Sequence, residues 1–184
     1  MQCSIFRETE YNNKANNDQI IKLGKYHSHG VQNTKFDAFS QKILNIKHDK
    51  PVDDDIIYFM EQLRNIISDT EKYVICVIPK HTFGTAPSGI RTIAKGLCNP
   101  PIIDGTNVIY RSREADKKST GGSRDINLEI ESLSVKNDYI IKDQQVLLLD
   151  DVSTSGSSLR AGKYILENAG AELVAMYALG LTQH

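Results

Sequence analysis

The chain predicts an α/β domain with a mainly parallel sheet flanked by helices and a small additional part at the N-terminus. Three observations point there. Strand-like and helix-like stretches alternate along the chain, the pattern of βα units. Two stretches, residues 73–97 and 146–169, each run strand, glycine-containing loop, helix. The chain has 184 residues, 40% of them hydrophobic, which suits one domain with its own core.

Composition narrows the class. A net charge of −1 gives no global drive towards nucleic acid or an anionic membrane. No apolar run approaches the length of a membrane span, and the N-terminus lacks the apolar core of a signal peptide. Cys3, Cys76 and Cys98 are far apart and form no C-x-x-C pair, so neither a zinc ribbon nor a disulfide framework is indicated. A reducing cytoplasm is the expected setting.

Residues 1–50 are weakly patterned. Asn12, Asn13, Asn16 and Asn17 predict a polar turn region. Residues 25–30 are polar and suited to lie near a ligand. His27 and His29, at i and i+2 with no third ligand close in sequence, read as surface residues rather than a metal pair. Residues 36–46 carry apolar positions near helical spacing. Asp53, Asp54 and Asp55 offer an N-cap and a favourable charge for a helix start. Ile56, Ile57, Phe59, Met60, Leu63, Ile66 and Ile67 continue it at helical spacing, to an end near residues 68–70.

Residues 73–78 are a compact, β-branched strand signal in which Cys76 is a buried thiol. A loop follows over 81–89, then a helix over 90–97 with Ile90, Ile93, Ala94 and Leu97 on one side. Val108, Ile109 and Tyr110 predict a short strand. Residues 111–135 are polar and basic, with Arg111, Arg113, Lys117, Lys118 and Arg124, and Gly121 and Gly122 suggest a mobile lid. Leu159 to Ala169 reads as a helix capped by Gly170. Residues 173–179 form a further buried strand.

The stretch from Val146 to Leu159 carries the chemistry. Val146, Leu147, Leu148 and Leu149 suit a strand buried on both faces. Asp150 and Asp151 then fall at its carboxyl end, where ligands bind in open α/β sheets. Ser153, Thr154, Ser155, Gly156, Ser157 and Ser158 supply hydroxyls and backbone N–H groups, and Gly156 permits a tight turn and a close approach. This loop opens a helix, so it makes an anion site. The two acids beside it cannot bind phosphate themselves and suit hydroxyls or a cation.

This stretch resembles the phosphoribosyl pyrophosphate (PRPP) motif of the type I phosphoribosyltransferases. The resemblance covers about residues 73–182 and implies the roles that follow. Asp150 and Asp151 would address the ribose 2- and 3-hydroxyls and Mg²⁺, and residues 153–158 would cradle the 5-phosphate. The loop after the first core strand, with Lys80, His81, Gly89 and Arg91, would bind pyrophosphate. Arg111, Lys117, Lys118 and Arg124 would be catalytic cations on a closing lid. Residues 1–70 would form a hood over an α/β core of residues 71–184.

Arg111 and Arg113, with the run from Arg124 to Asn127, are similar to the ComF-like branch. The chain departs from it in two places. Ser88–Gly89 stands where Arg–Gly is usual, and the N-terminal cysteine cluster of many relatives is absent. In 6-oxopurine enzymes of this family an Asp inside the phosphate loop acts as base. Thr154 occupies that position here, which argues against hypoxanthine or guanine.

The implied activity is Mg²⁺-dependent displacement of pyrophosphate from ribose C1 of PRPP by a nucleobase or related acceptor. The alternative is a non-catalytic PRPP or nucleotide sensor on the same fold. A PRPP-synthase-like protein is a third reading, but the chain has no G-x-x-x-x-G-K-[ST] element. The expected partners are PRPP and a small-molecule acceptor, with neither membrane nor nucleic acid, and a homodimer is left open.

Overall fold

Val146, Leu147, Leu148 and Leu149 are inaccessible to solvent because the strand that carries them has neighbours on both edges and cover on both faces. The computed structural model describes residues 2–30, 33–47, 52–113 and 126–183. Helices α1 (Thr9–Asn16), α2 (Ala38–Lys47) and α3 (Asp53–Ile66) accompany strand β1 (Ile20–His27) in the N-terminal part. Strand β2 (Val74–Val77), helix α4 (Gly89–Leu97) and strands β3 (Ile103–Asp104) and β4 (Ile109–Arg111) follow. Then come α5 (Ile126–Ser132), β5 (Leu133–Val135), β6 (Gln145–Ser153), α6 (Ser157–Asn168) and β7 (Leu173–Gln183). No helix among the described residues is long and apolar enough to cross a membrane.

The main sheet has the order β1-β7-β6-β2-β3 with every pair parallel, and β4 and β5 form a separate antiparallel ribbon. Alternate residues of the central strands feed opposite layers, as the two-residue period of a strand requires. Ile75, Val77, Leu147 and Leu149 pack with Phe59 and Leu63 of α3 and Ile90 and Ile93 of α4. Val74, Cys76, Val146 and Leu148 pack with Leu159, Ala161 and Leu166 of α6. The α/β architecture with a mainly parallel sheet is therefore the one the sequence predicts.

Several local expectations are corrected. The asparagine-rich stretch is helix α1, held by Asn12 Nδ2 donating to the Phe6 carbonyl at 3.1 Å and by Tyr11 against Phe6. The polar run at residues 25–30 lies partly in β1, an edge strand whose exposed lysines are compatible with solvent on one side. Strand β1, from the N-terminal part, pairs in parallel with β7 and so joins the main sheet. The Asp53–Asp55 run occupies the first turn of α3 rather than its cap, which is Val52, and Ile57 faces solvent. The segment after β4 returns through α5 and β5, and Arg111 belongs to β4. Strand β6 extends past its apolar run, because the long β7 offers ladder partners as far as Ser153↔Leu181.

Helix α2 deserves its place in the fold to three glycines. It packs on β1, β6, β7, α3 and α4. A Cβ on Gly24 would stand 2.8 Å from Phe39 Cε1, one on Gly180 2.5 Å from Ile43 Cδ1, and one on Gly89 2.4 Å from the Ile46 carbonyl oxygen. Residues 39, 43 and 46 lie on one helical face, so a single face of α2 rests on three bare backbones from three elements. Lys42 and Asn45 then bind Asp55 of α3 at 2.7 and 2.6 Å. Burial works to raise the Asp55 carboxyl, but these two bonds outweigh it and hold its pKa below the usual range.

Two expectations follow from this seat. Gly89→Ala would gain about 1 kcal/mol of intrinsic helix propensity, but its Cβ meets backbone rather than a flexible side chain. Overpacking costs about 1–3 kcal/mol, so urea unfolding should show net destabilisation. Asp55 has a depressed folded pKa, so its contribution is present above the unfolded value of about 4 and is lost as pH falls through the folded value. On acidification from about pH 7 to about pH 3, Asp55→Asn should therefore lose less stability than the parent chain.

Candidate active site

Strands β2 and β6 are neighbours, yet the helices that follow them go to opposite faces: α4 to the layer with α3, α6 to the other. Diverging connections open a crevice at the carboxyl ends of the two strands, the usual ligand position in such sheets. The last residues of β6 bring Asp150 and Asp151 to that crevice, and Lys80 lies three residues past the end of β2.

Both carboxylates are half-buried. The backbone N–H of Asp151 donates to Asp150 Oδ1 at 2.9 Å. Burial pushes the Asp150 pKa up and repulsion from Asp151 adds to it, while the Asp151 N–H, Lys47 and Arg111 pull the other way; the net displacement is well above the ordinary carboxylate range. Asp151 is raised by burial against the opposing pull of Lys47, the Val152 N–H and Lys80. Negative charge is thus incompletely compensated by the protein at this point, and a cation or hydroxyl donors would offset it.

Lys47, the last residue of α2, acts on both acids and sits 5.4 Å from the Tyr26 ring centroid. Sequence reasoning missed it. It lies about a hundred residues from the acids in a stretch without a motif, and only the seating of α2 brings it there.

The loop after β6 leads from the acids into the first turn of α6. Gly156 caps α6 at φ +79°, the left-handed region that glycine adopts without a steric penalty. A Cβ there would lie 2.4 Å from both Arg160 Nη1 and Ile20 Cδ1. Ser153 Oγ is buried with no protein partner. Thr154 Oγ1 and Thr182 Oγ1 are 2.9 Å apart, as are the hydroxyls of Ser155 and Ser157. Ser158 is half-buried in the first turn of α6. Arg160 Nη1 donates to the Ser155 carbonyl at 3.0 Å, placing a cation beside the loop that the motif alone did not disclose.

The loop after β2 differs from expectation in its cations. Lys80 and His81 are half-buried at its start, and the Lys80 charge is felt by Asp151. Gly89 is the first residue of α4 and gives clearance to Ile46, which accounts for its glycine without a ligand. Arg91 is not turned towards the loop. It is 5% exposed and donates through Nη1 to the Thr106 carbonyl and, at 2.8 Å, to Asn107 Oδ1. Burial lowers its pKa against the raising effect of Asp104.

Arg111, expected on the lid, is 0% exposed and paired with Glu129 at 2.9 Å. The remaining lid cations, Lys117, Lys118 and Arg124, lie outside the described residues. His27, Asp37, Phe39 and Tyr58 border an open cavity of about 350 Å³ beside β1, α2 and α3. The His29 ring stands edge-on to Phe36 at 5.1 Å.

Residues 44–180 match the family model described as phosphoribosyl transferase domain. No curated protein matches the chain. Among solved structures, the allosteric regulatory enzyme of purine biosynthesis is similar at 18% identity and a TM-score of 0.42, over 67% of this chain and 24% of that one. This chain therefore spans about a quarter of that enzyme's length. A hypoxanthine phosphoribosyltransferase from Staphylococcus aureus is similar at 14% identity and a TM-score of 0.38, over 78% of this chain and 73% of that one.

The carboxylate pair makes a prediction about the ligand-free protein. A raised folded pKa means that stability is fully present below the unfolded value and is lost as pH rises through the folded one. Asp150→Asn removes one of the two repelling charges. It should raise the melting temperature at about pH 7 and give no gain near pH 3, where both carboxyls are protonated. A melting temperature unchanged at neutral pH would mean that the pair is not strained.

Proposed function

The chain belongs to the phosphoribosyl transferase domain family, and from that premise we propose that it uses PRPP, transferring the phosphoribosyl group to a nucleobase or related acceptor with release of pyrophosphate. The observation that carries this reading is the pair of adjacent carboxylates at the β2/β6 crevice, directly followed by a hydroxyl-rich loop at a helix N-terminus. One end would take ribose hydroxyls, the other a phosphate, and Val152 alone stands between them.

In the reaction the acceptor lone pair forms a bond to C1 as the bond from C1 to pyrophosphate breaks, and the leaving electron pair stays on pyrophosphate oxygen. Positive charge develops on the sugar. Asp150 and Asp151 fix the ribose by accepting from its 2- and 3-hydroxyls. Residues 153–158 hold the 5-phosphate through backbone N–H groups and hydroxyls, with the buried Ser153 Oγ and the α6 N-terminus as its fixed donors. Lys80 lies at the pyrophosphate side. Lys117, Lys118 and Arg124 would add cationic stabilisation there from the lid.

A divalent cation fits the acids by their chemistry, since two adjacent carboxylates at the crevice end of β6 offer hard oxygen donors. Bound there, Mg²⁺ would offset negative charge on the departing pyrophosphate. With Thr154 in the phosphate loop, no side chain at that position can take a proton from a 6-oxopurine at neutral pH.

Screening nucleobases for pyrophosphate release from PRPP with Mg²⁺ tests the activity. Release with one base class identifies the acceptor. Calorimetric PRPP binding without release for any base would turn the reading to a PRPP sensor. Asp150→Asn combined with Asp151→Asn should abolish PRPP binding while the fold survives. Unchanged affinity in the folded double variant would remove the acids from the site.

A further inference from the structure

We propose that Arg111 and Glu129 are a positioning pair that grips the 80–84 loop from below and ties its shape to helix α5. The proposal rests on the reading of that loop as the pyrophosphate loop. It changes the role of Arg111 from a mobile cation that meets substrate to a fixed one that acts through the loop.

Arg111 holds the loop at two points by two different means. Its main chain exchanges hydrogen bonds with Gly84: Gly84 N donates to the Arg111 carbonyl at 2.9 Å, and Arg111 N donates to the Gly84 carbonyl at 3.0 Å. Gly84 has φ +88°, so the loop turns there in a conformation that side chains resist. The side chain of Arg111 reaches the other end, where Nε donates to the Lys80 carbonyl at 3.2 Å. Lys80 is the residue whose charge is felt by Asp151.

The same guanidinium is fixed to α5. Nη1 donates to Glu129 Oε2 at 2.9 Å and to Ser132 Oγ, and Ser132 Oγ donates in turn to the Glu129 carbonyl at 2.8 Å. Ser112 N donates to the Ser132 carbonyl at 3.0 Å, so the chain entering residues 114–125 and the helix leaving them meet at this pair. Arg111, Glu129 and Ser132 are all buried. A buried ion pair is weak support for stability in itself, since desolvation consumes much of the attraction. Its directional forks do fix geometry, and a planar guanidinium can serve a carbonyl, a carboxylate and a hydroxyl at once where an ammonium on a flexible stem cannot.

Position, rather than charge, is therefore what Arg111→Lys removes, since the lysine keeps a cation opposite Glu129. Glu129→Gln keeps the shape and an acceptor while removing the anion. Calorimetry with magnesium pyrophosphate and, separately, ribose 5-phosphate reads the two halves of the site. Each variant should lose about tenfold or more in pyrophosphate affinity while ribose 5-phosphate affinity stays within about twofold. Amide exchange at Gly84 should quicken without ligand in both. Equal loss for the two ligands, or parent-like pyrophosphate binding with parent-like exchange at Gly84, overturns the proposal.

If the unmodified protein binds neither ligand, the reading of the site fails instead, and the grip is judged by Gly84 exchange alone: faster in Arg111→Lys supports it, unchanged rejects it. If Arg111→Lys does not fold, Ser132→Ala, which removes one acceptor of the fork, takes its place with the same readouts.

Discussion

Two adjacent carboxylates stand at the end of a strand whose preceding four side chains see no solvent, and the surrounding structure is arranged around their charge. Burial and mutual repulsion act to keep them protonated. The cations that oppose this come from separate elements: Lys47 from the end of α2, Lys80 from the loop after β2, and Arg111 from β4. Each lowers the cost of holding the two charges at the strand end.

The three cations differ in how they are held. Lys47 arrives because α2 can sit close to the sheet on Gly24, Gly180 and Gly89, and the Lys42–Asp55–Asn45 bonds lock α2 to α3. A bulkier residue at any of the three glycines would move the helix and the charge together. Arg111 is fixed by a buried fork, and its charge reaches Asp150 from there. Lys80 is held at its carbonyl by Arg111 Nε, and the residue is half-buried.

The sequence determined the architecture and the run of strand, acids and hydroxyl loop that makes up the candidate site. An apolar run bounded by turn residues suits a strand buried on both faces, and the acids, hydroxyls and glycine that follow it are local chemistry, legible within fifteen residues. The alternation that marks βα units did the same for β2, α4, α6 and β7. Short or polar elements escaped. β3 has two residues, β5 three, and α1 is built from asparagines that favour turns in isolation, so their stability comes from partners distant in sequence.

Which cations serve the site was decided by the tertiary structure alone. Arg91 and Arg111 look like free cations in the sequence because both follow a strand, but burial against Thr106 and Asn107 in one case, and Glu129 and Ser132 in the other, turns them into structural ties. Lys47 looks like an ordinary helix-end lysine and is brought to the acids by packing. A carboxylate pair at a strand end is specified by its immediate neighbours, whereas a charge acting through space depends on the path of the whole chain, and no local pattern records that path.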